Sequence, residues 1–181
     1  MRKRVAYILA ILLGLASLVA STLAQQDKSK RPSPPASASC KFADGKSITV
    51  QYSSPRMKGR KIFGELIPYG KVWRAGANEA TTFVPNRDVT VGGKAVPAGS
   101  YTIFTIPDED KWTLIISKKT GEWGEPYPGE ADDFARVDMK VSKLGAPVEK
   151  FTITFDQAGG MCTMHLDWET TRASIVIAEK K

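Results

Sequence analysis

Between Trp73 and Glu79 the chain places an indole, a guanidinium, an amide and a carboxylate close together, as Trp73, Arg74, Asn78 and Glu79, with Gly76 able to turn the backbone between them. Converging on one pocket, these groups would hold an anionic or carbonyl group through Arg74 and Asn78, leaving Glu79 as acceptor or general base. The competing reading is structural: an Arg74–Glu79 ion pair and backbone bonds from Asn78 would pin a loop, and such networks perturb charges without catalysing anything. The run lies in the stretch from Tyr52 to Thr82, the least strand-like long segment of the chain. Long irregular segments on a rigid scaffold are where sites commonly lie.

Three further groups of residues carry possible chemistry. Arg56, Lys58, Arg60 and Lys61 put four positive charges into six residues, which on an extended segment would line one face. They would grip a phosphate or an anionic envelope polymer, or protect a strand edge from aggregation. The loop from Gly121 to Asp133 sets Trp123 and Tyr127 among Glu122, Glu125, Glu130, Asp132 and Asp133. Aromatic faces beside carboxylates suit a sugar ring, and a carboxylate pair could serve glycoside hydrolysis. A solvated acidic loop with its tryptophan packed on the core is the plainer account. His165 and Asp167 alternate onto one strand face, expected to be the outward one. His165 is the sole histidine, and a borderline or soft metal needs more nitrogen or sulfur ligands than that, so neither a metal nor a cofactor is expected. No G-x-S-x-G elbow occurs, which leaves Ser53 or Ser54 as the serines that could face His165.

The elements that must position these residues follow from a period of two. Ile48, Val50 and Tyr52 alternate with Thr49 and Gln51; Phe151, Ile153 and Phe155 with Thr152 and Thr154; Cys162, Met164, Leu166 and Trp168 with Thr163, His165 and Asp167. Further strands are expected at Thr81–Val84, Asp88–Val91, Ser100–Ile106, Trp112–Ser117, Val137–Val141 and Ser174–Ala178. Asp44-Gly45 and Gly92-Gly93 supply hairpin turns. The pattern predicts an all-β antiparallel β-sandwich of about eight or nine strands, with at most one short helical turn, around Ile62 to Leu66.

The compartment is read from the N-terminus. Arg2, Lys3 and Arg4 precede an uncharged, mostly apolar run from Val5 to Ala24 that ends in small residues, the pattern of a secretory signal peptide over residues 1–24. An uncleaved anchor helix is the alternative; after cleavage no stable membrane span is left. Residues 25–39, rich in Pro, Ser, Ala and Lys, are expected to form a disordered linker, and residues 40–181 a single domain. In an oxidising compartment Cys40 and Cys162 are expected to pair as a disulfide. Of 26 basic and 19 acidic residues, six and one precede residue 40, so residues 40–181 carry twenty against eighteen, or +2. A domain so near neutrality lacks the dense basic footprint that nucleic acid requires, and a nucleic-acid partner is not expected.

The runs YSSPRMKGRKIFGELIPYGKVWRAGANEATTF, VGGKAVPAGSYTIFTIP, KWTLIISKKTGEWG, FARVDMKV, VEKFTITFD and MHLDWETTRASIVI together resemble the bacterial family called domain of unknown function 2911. The resemblance covers essentially residues 40 to 178 and implies an exported β-rich domain. It transfers no catalytic residue, and its PYGKVWRAGANEATT segment keeps attention on Trp73, Arg74, Asn78 and Glu79. The leading expectation is an exported module that binds an unidentified small molecule or envelope protein. The alternative is a small metal-independent hydrolase or isomerase with Glu79 or His165 as base and Arg74 as electrostatic clamp. Intact-mass analysis of the exported protein is expected to place its first residue at Gln25; a species retaining residues 1–24 would establish the anchor instead.

Overall fold

Alternating burial appears in the structure, a computed structural model that describes residues 27–180, wherever the sequence alternates apolar and polar residues. The chain divides into two units at Arg31 and Pro32. The described part of the first is a single 3-10 turn, Lys28–Lys30, capped by Asp27, whose carboxylate accepts from the Ser29 backbone at 3.1 Å. The expected signal segment, residues 1–24, lies outside the described residues.

The second unit is all-β. Its strands are β1 (Pro35–Lys41), β2 (Ser47–Ser53), β3 (Thr81–Pro85), β4 (Val89–Val91), β5 (Lys94–Val96), β6 (Tyr101–Ile106), β7 (Lys111–Ser117), β8 (Asp133–Ala158) and β9 (Met161–Glu179). They form one nine-stranded sheet in the order β1-β2-β3-β6-β7-β8-β9-β4-β5, antiparallel throughout. The expected two sheets are thus one continuous sheet that folds over on itself. The proof is the Cys40–Cys162 disulfide, which joins β1 to β9 although five strands lie between them in the sheet order.

Three local expectations are corrected. Residues 35–39, expected as linker, belong to β1 and pair along their length with β2, from Pro35 opposite Ser53 to Lys41 opposite Ser47. Ala36 and Ala38 pack against the core, but methyl groups carry so little apolar surface that their alternation is faint in the sequence. The helical turn expected at Ile62–Leu66 is a set of tight turns. Gly64, at φ 85°, interrupts it; Ile67 N donates to Ile62 O at 2.9 Å, and the Glu169 carboxylate accepts from Ile62 N at 3.2 Å. Four separately expected strands merge into two long ones, β8 and β9, and a bend in that ribbon moves His165 and Asp167.

Register explains the bend. From Lys143 opposite Thr171 to Thr152 opposite Asp167, β8 advances nine residues while β9 advances four. A ribbon with a surplus of backbone on one strand must curve toward the shorter one. On β9 the curve sits at Glu169, which has φ 56°. The core-facing residues shift from even numbers up to Trp168 to odd numbers from Ala173 onward. Nine residues of extended strand would separate side chains by about 30 Å, yet His165 Nδ1 lies 2.8 Å from Ser174 Oγ. His165 and Asp167 were expected to face outward; they are instead 7% and 6% exposed, because the outer faces of the two halves of β9 close on each other.

Among the described residues no helix is long and apolar enough to cross a membrane. The disulfide closes a loop of 122 residues. In the chain-entropy model such a closure removes about 4–5 kcal/mol of unfolded-state freedom. Replacing both cysteines with alanine is therefore expected to lower Tm by roughly 10 °C or more, read by differential scanning calorimetry. An unchanged Tm would mean that the cross-link constrains nothing.

Candidate functional site

Trp73 is the fixed point of the irregular segment between β2 and β3. Its backbone pairs with Thr105 of β6 through bonds of 2.7 and 2.8 Å, and its Nε1 donates to Gly76 O at 3.2 Å. The indole stacks on Trp168 at 5.9 Å between ring centroids and meets Phe151 edge-on at 5.0 Å, with Phe63 and Trp112 completing the cluster. Edge-to-face and offset geometries of this kind add to the burial energy of each ring. Gly76 follows because nothing larger fits: a Cβ there would lie 3.0 Å from both Ser53 O and Thr81 Oγ1.

Above these rings lies a cavity of about 450 Å³, within the size range of small-molecule sites. Pro55, Leu66, Ile67, Pro68, Trp73 and Trp168 supply its apolar surface; Arg60, Lys71 and Arg74 bring three cations to it. Among the described residues, Glu125 is the one carboxylate in the lining. Arg74 Nη1 lies 3.5 Å from that carboxylate and donates to Trp123 O at 3.4 Å. Arg60 donates only to carbonyls, those of Met57 at 2.9 Å and Arg56 at 2.7 Å. Among the described residues no carboxylate lies within ion-pair distance of Arg60 or Lys71.

The far wall is the acidic loop. Tyr127 lines the cavity, packs edge-on against Phe104 at 5.1 Å, and donates a short hydrogen bond to Asp133. Arg136 Nε completes the lock with a 2.7 Å bond to Asp133, and Arg136 Nη2 donates to the Tyr127 hydroxyl at 3.3 Å. Burial, and next the bond to Asp133, push the Tyr127 phenol up to about 12. The same carboxylate raises Arg136 above the ordinary guanidinium range. Gly124 lets the loop approach: at φ 82°, a Cβ on it would lie 2.8 Å from Ala80 Cβ and 3.0 Å from Arg74 Cβ.

Of the residues singled out from sequence, Trp73, Arg74, Arg60, Glu125 and Tyr127 meet in this cavity. Asn78 stands behind the wall, at φ 56°, donating to Ser33 O at 2.9 Å, while Ser33 itself lines the cavity. Glu79 is half-buried and is not among the lining residues. Arg74 pairs with Glu125 at 3.5 Å. Trp123, a candidate for binding with core packing as the plainer account, is 52% exposed and not among the lining residues; its carbonyl accepts from Arg74. Arg56 to Lys61 do not form the extended row expected of them. Lys58 and Gly59, at φ 51° and 71°, turn the chain so that Arg60 folds back, and Lys61 pairs outside with Glu65 at 3.6 Å.

His165 is not among the residues that line the cavity. Its Nε2 lies 3.0 Å from Asp156 Oδ2 and its serine partner is Ser174; Ser54 Oγ instead donates to Phe151 O at 2.7 Å. With the Asp156 side chain 77% exposed, and Ser174 within a strand rather than on a sharp turn, this chain of bonds acts as a clamp across the bend of β9. Asp167 adds a two-point bond to Arg172 at 2.8 and 2.6 Å on the same side. Among the described residues no group of three or more His, Cys, Asp or Glu stands close enough to hold a metal ion.

Lys71, Trp168 and Ser33 were missed as site residues. Lys71 sits two residues before Trp73 and was within reach of sequence reasoning; Trp168 alternates as a core residue, and nothing in its spacing marks it as a cavity floor.

The protein-family model described as "Protein of unknown function (DUF2911)" matches residues 33–177. The chain belongs to that family. The match begins two residues before β1, as the extended sheet requires. No curated protein and no solved structure matches the chain.

The loop lock carries a pH dependence of definite sign. Because the folded-state value of Tyr127 is raised, its contribution is fully present below about pH 10, where the unfolded phenol is also neutral, and is lost as pH rises toward about 12. The Tm advantage of the native protein over Tyr127→Phe is expected to be constant up to pH 10 and to shrink above it. A difference that grows with pH would mean that the phenolate is the stabilising form.

Proposed function

We propose that this chain is an exported binding module of the cell envelope whose cavity takes a small anionic molecule with a flat, apolar part. The observation that carries this reading is the convergence of Arg60, Lys71 and Arg74 on one cavity surfaced by Trp73 and Trp168, with Glu125 as the single carboxylate among the described lining residues. Arg74 shares its charge with Glu125, whereas Arg60 and Lys71, which have no carboxylate partner among the described residues, keep their charge for a ligand. The apolar rings remove water from one side of the bound molecule and so strengthen its bonds to these groups. Export is supported by the basic, apolar and small-residue order of residues 1–24.

The alternative, a hydrolase or isomerase, needs Glu79 or His165 beside Arg74 as its base, and neither lines the cavity that Arg74 lines. No geometry on the described residues favours that reading over binding.

A thermal-shift series with benzoate, phenyl phosphate and inorganic phosphate, and with benzyl alcohol as the uncharged counterpart, tests the proposal. A ligand at a hundredfold excess over Kd stabilises by about 2.7 kcal/mol, which for a domain of this size raises Tm by roughly 5–10 °C. The aromatic anions are expected to shift Tm while benzyl alcohol does not, and Arg74→Ala is expected to weaken binding roughly 10- to 100-fold by removing a charge-assisted bond. Equal shifts from benzyl alcohol, or none from any anion, would overturn the assignment.

A further inference from the structure

The cavity does not end at Arg60. A second, shallower depression of about 390 Å³ is lined by Pro32, Ser33, Pro55, Arg56, Lys58 and Arg60, and shares Ser33, Pro55 and Arg60 with the first. The two are therefore compartments of one cleft with Arg60 at the junction. Lys71 and Arg74 serve the inner compartment, Arg60 the junction, and Arg56 and Lys58 the outer compartment. Against these five cations the described lining residues include one carboxylate, Glu125, for a net of +4 among them. Residues 32–181 as a whole carry +2, since residues 32–39 add no charge. The remainder of the domain is thus −2, and its positive field is concentrated in this cleft. The Glu149 carboxylate, outside the lining, accepts from the Lys58 backbone N–H at 3.0 Å.

Resting on the binding reading above, we infer that the cleft takes a short chain of sugar acids, with one carboxylate-bearing ring in each compartment and a third at the junction. The distribution of charge argues for a ligand whose anionic groups repeat along its length, because cations occur in both compartments and between them. The surfaces between the charges argue for rings. Pro55, Leu66, Pro68 and Trp73 offer flat apolar patches to the C–H faces of a pyranose, while Glu125 can accept from a hydroxyl. A bare polyphosphate would leave those apolar patches without partners. A nucleic acid would need a longer basic track than one cleft on a domain of +2 supplies. Linking the rings turns each further contact into an intramolecular one, so affinity grows with chain length until the cleft is full.

The test is a calorimetric series with galacturonate, digalacturonate and trigalacturonate at fixed low salt, alongside benzoate and an oligothymidylate of similar charge. Kd is expected to fall at least tenfold from the monomer to the trimer. In the double variant Arg56→Gln/Lys58→Asn, that gain is expected to disappear while benzoate affinity stays within twofold of native, which also reports that the fold is intact; asparagine tolerates the positive φ at position 58. A trimer that binds no tighter than the monomer, or a length gain that survives the double variant, overturns the extended cleft and leaves the inner cavity standing. Binding of benzoate but of no uronate overturns the ligand class alone. Tighter binding of the oligothymidylate than of trigalacturonate replaces the sugar chain with a nucleic acid. Failure of benzoate and uronates alike overturns both readings.

Discussion

The packing of Trp73 against Trp168 is the contact on which the rest of the site depends. A long segment without regular structure has no ladder of its own to fix it, and fixing each of its residues costs about 1–2 kcal/mol of backbone entropy. The segment between β2 and β3 meets that cost by placing one large ring in the core and pairing its backbone with Thr105. A fully buried indole such as Trp168 contributes on the order of 4–6 kcal/mol from area alone. With Trp73 held, Arg74 follows at the cavity wall, and Ala75, wholly buried at φ 50°, turns the chain back toward β3, where Thr81 Oγ1 bonds to Ala75 O at 2.8 Å.

The bend of the β8–β9 ribbon supplies the other half of that contact. Trp168 is the last core-facing residue before the face exchange, and Glu169 is the residue that makes it. The Glu169 carboxylate accepts from Ile62 N at 3.2 Å and Phe63 N at 3.4 Å, so the bend that delivers the floor of the cavity also holds the segment bearing Leu66 and Ile67. The Asp156–His165–Ser174 chain and the Asp167–Arg172 pair lie across the bend on its outer side. A polar seam in so closed a place is stabilising only when its members are all paired, and here His165 and Asp167 are.

Electrostatics divides along the same line. Most ion pairs of the domain are surface pairs of small energetic consequence, such as Lys111–Asp138 at 3.3 Å between two well-exposed side chains. Arg60 in the cleft is different, because it is held by carbonyls rather than by a carboxylate. Such an arrangement orients a guanidinium without neutralising it. The acidic loop is tied at its far end by Tyr127, Asp133 and Arg136, and of its carboxylates Glu125 is the one that lines the cavity, 3.5 Å from Arg74.

How much of this was legible follows from the range of each interaction. Strand identity is written in neighbours two apart, so the all-β class, seven of the nine strands at least in part, and the pairing of Cys40 with Cys162 could be read from the chain itself. β1 could not, because alanine and serine alternate without enough apolar surface to register, nor could β5, which is only three residues long. Trp73, Arg74 and Arg60 were legible as candidates because their types are rare together and their segment is irregular. Their convergence with Lys71, Tyr127 and Trp168 was not, since it depends on a sheet that folds over and on a surplus of residues in β8 that reverses which face of β9 is buried. A period of two says that side chains alternate; only the folded ribbon decides where the alternation slips, and that slip is why His165 serves as a clamp rather than facing solvent, and why Trp168 lies beneath a ligand-sized cavity.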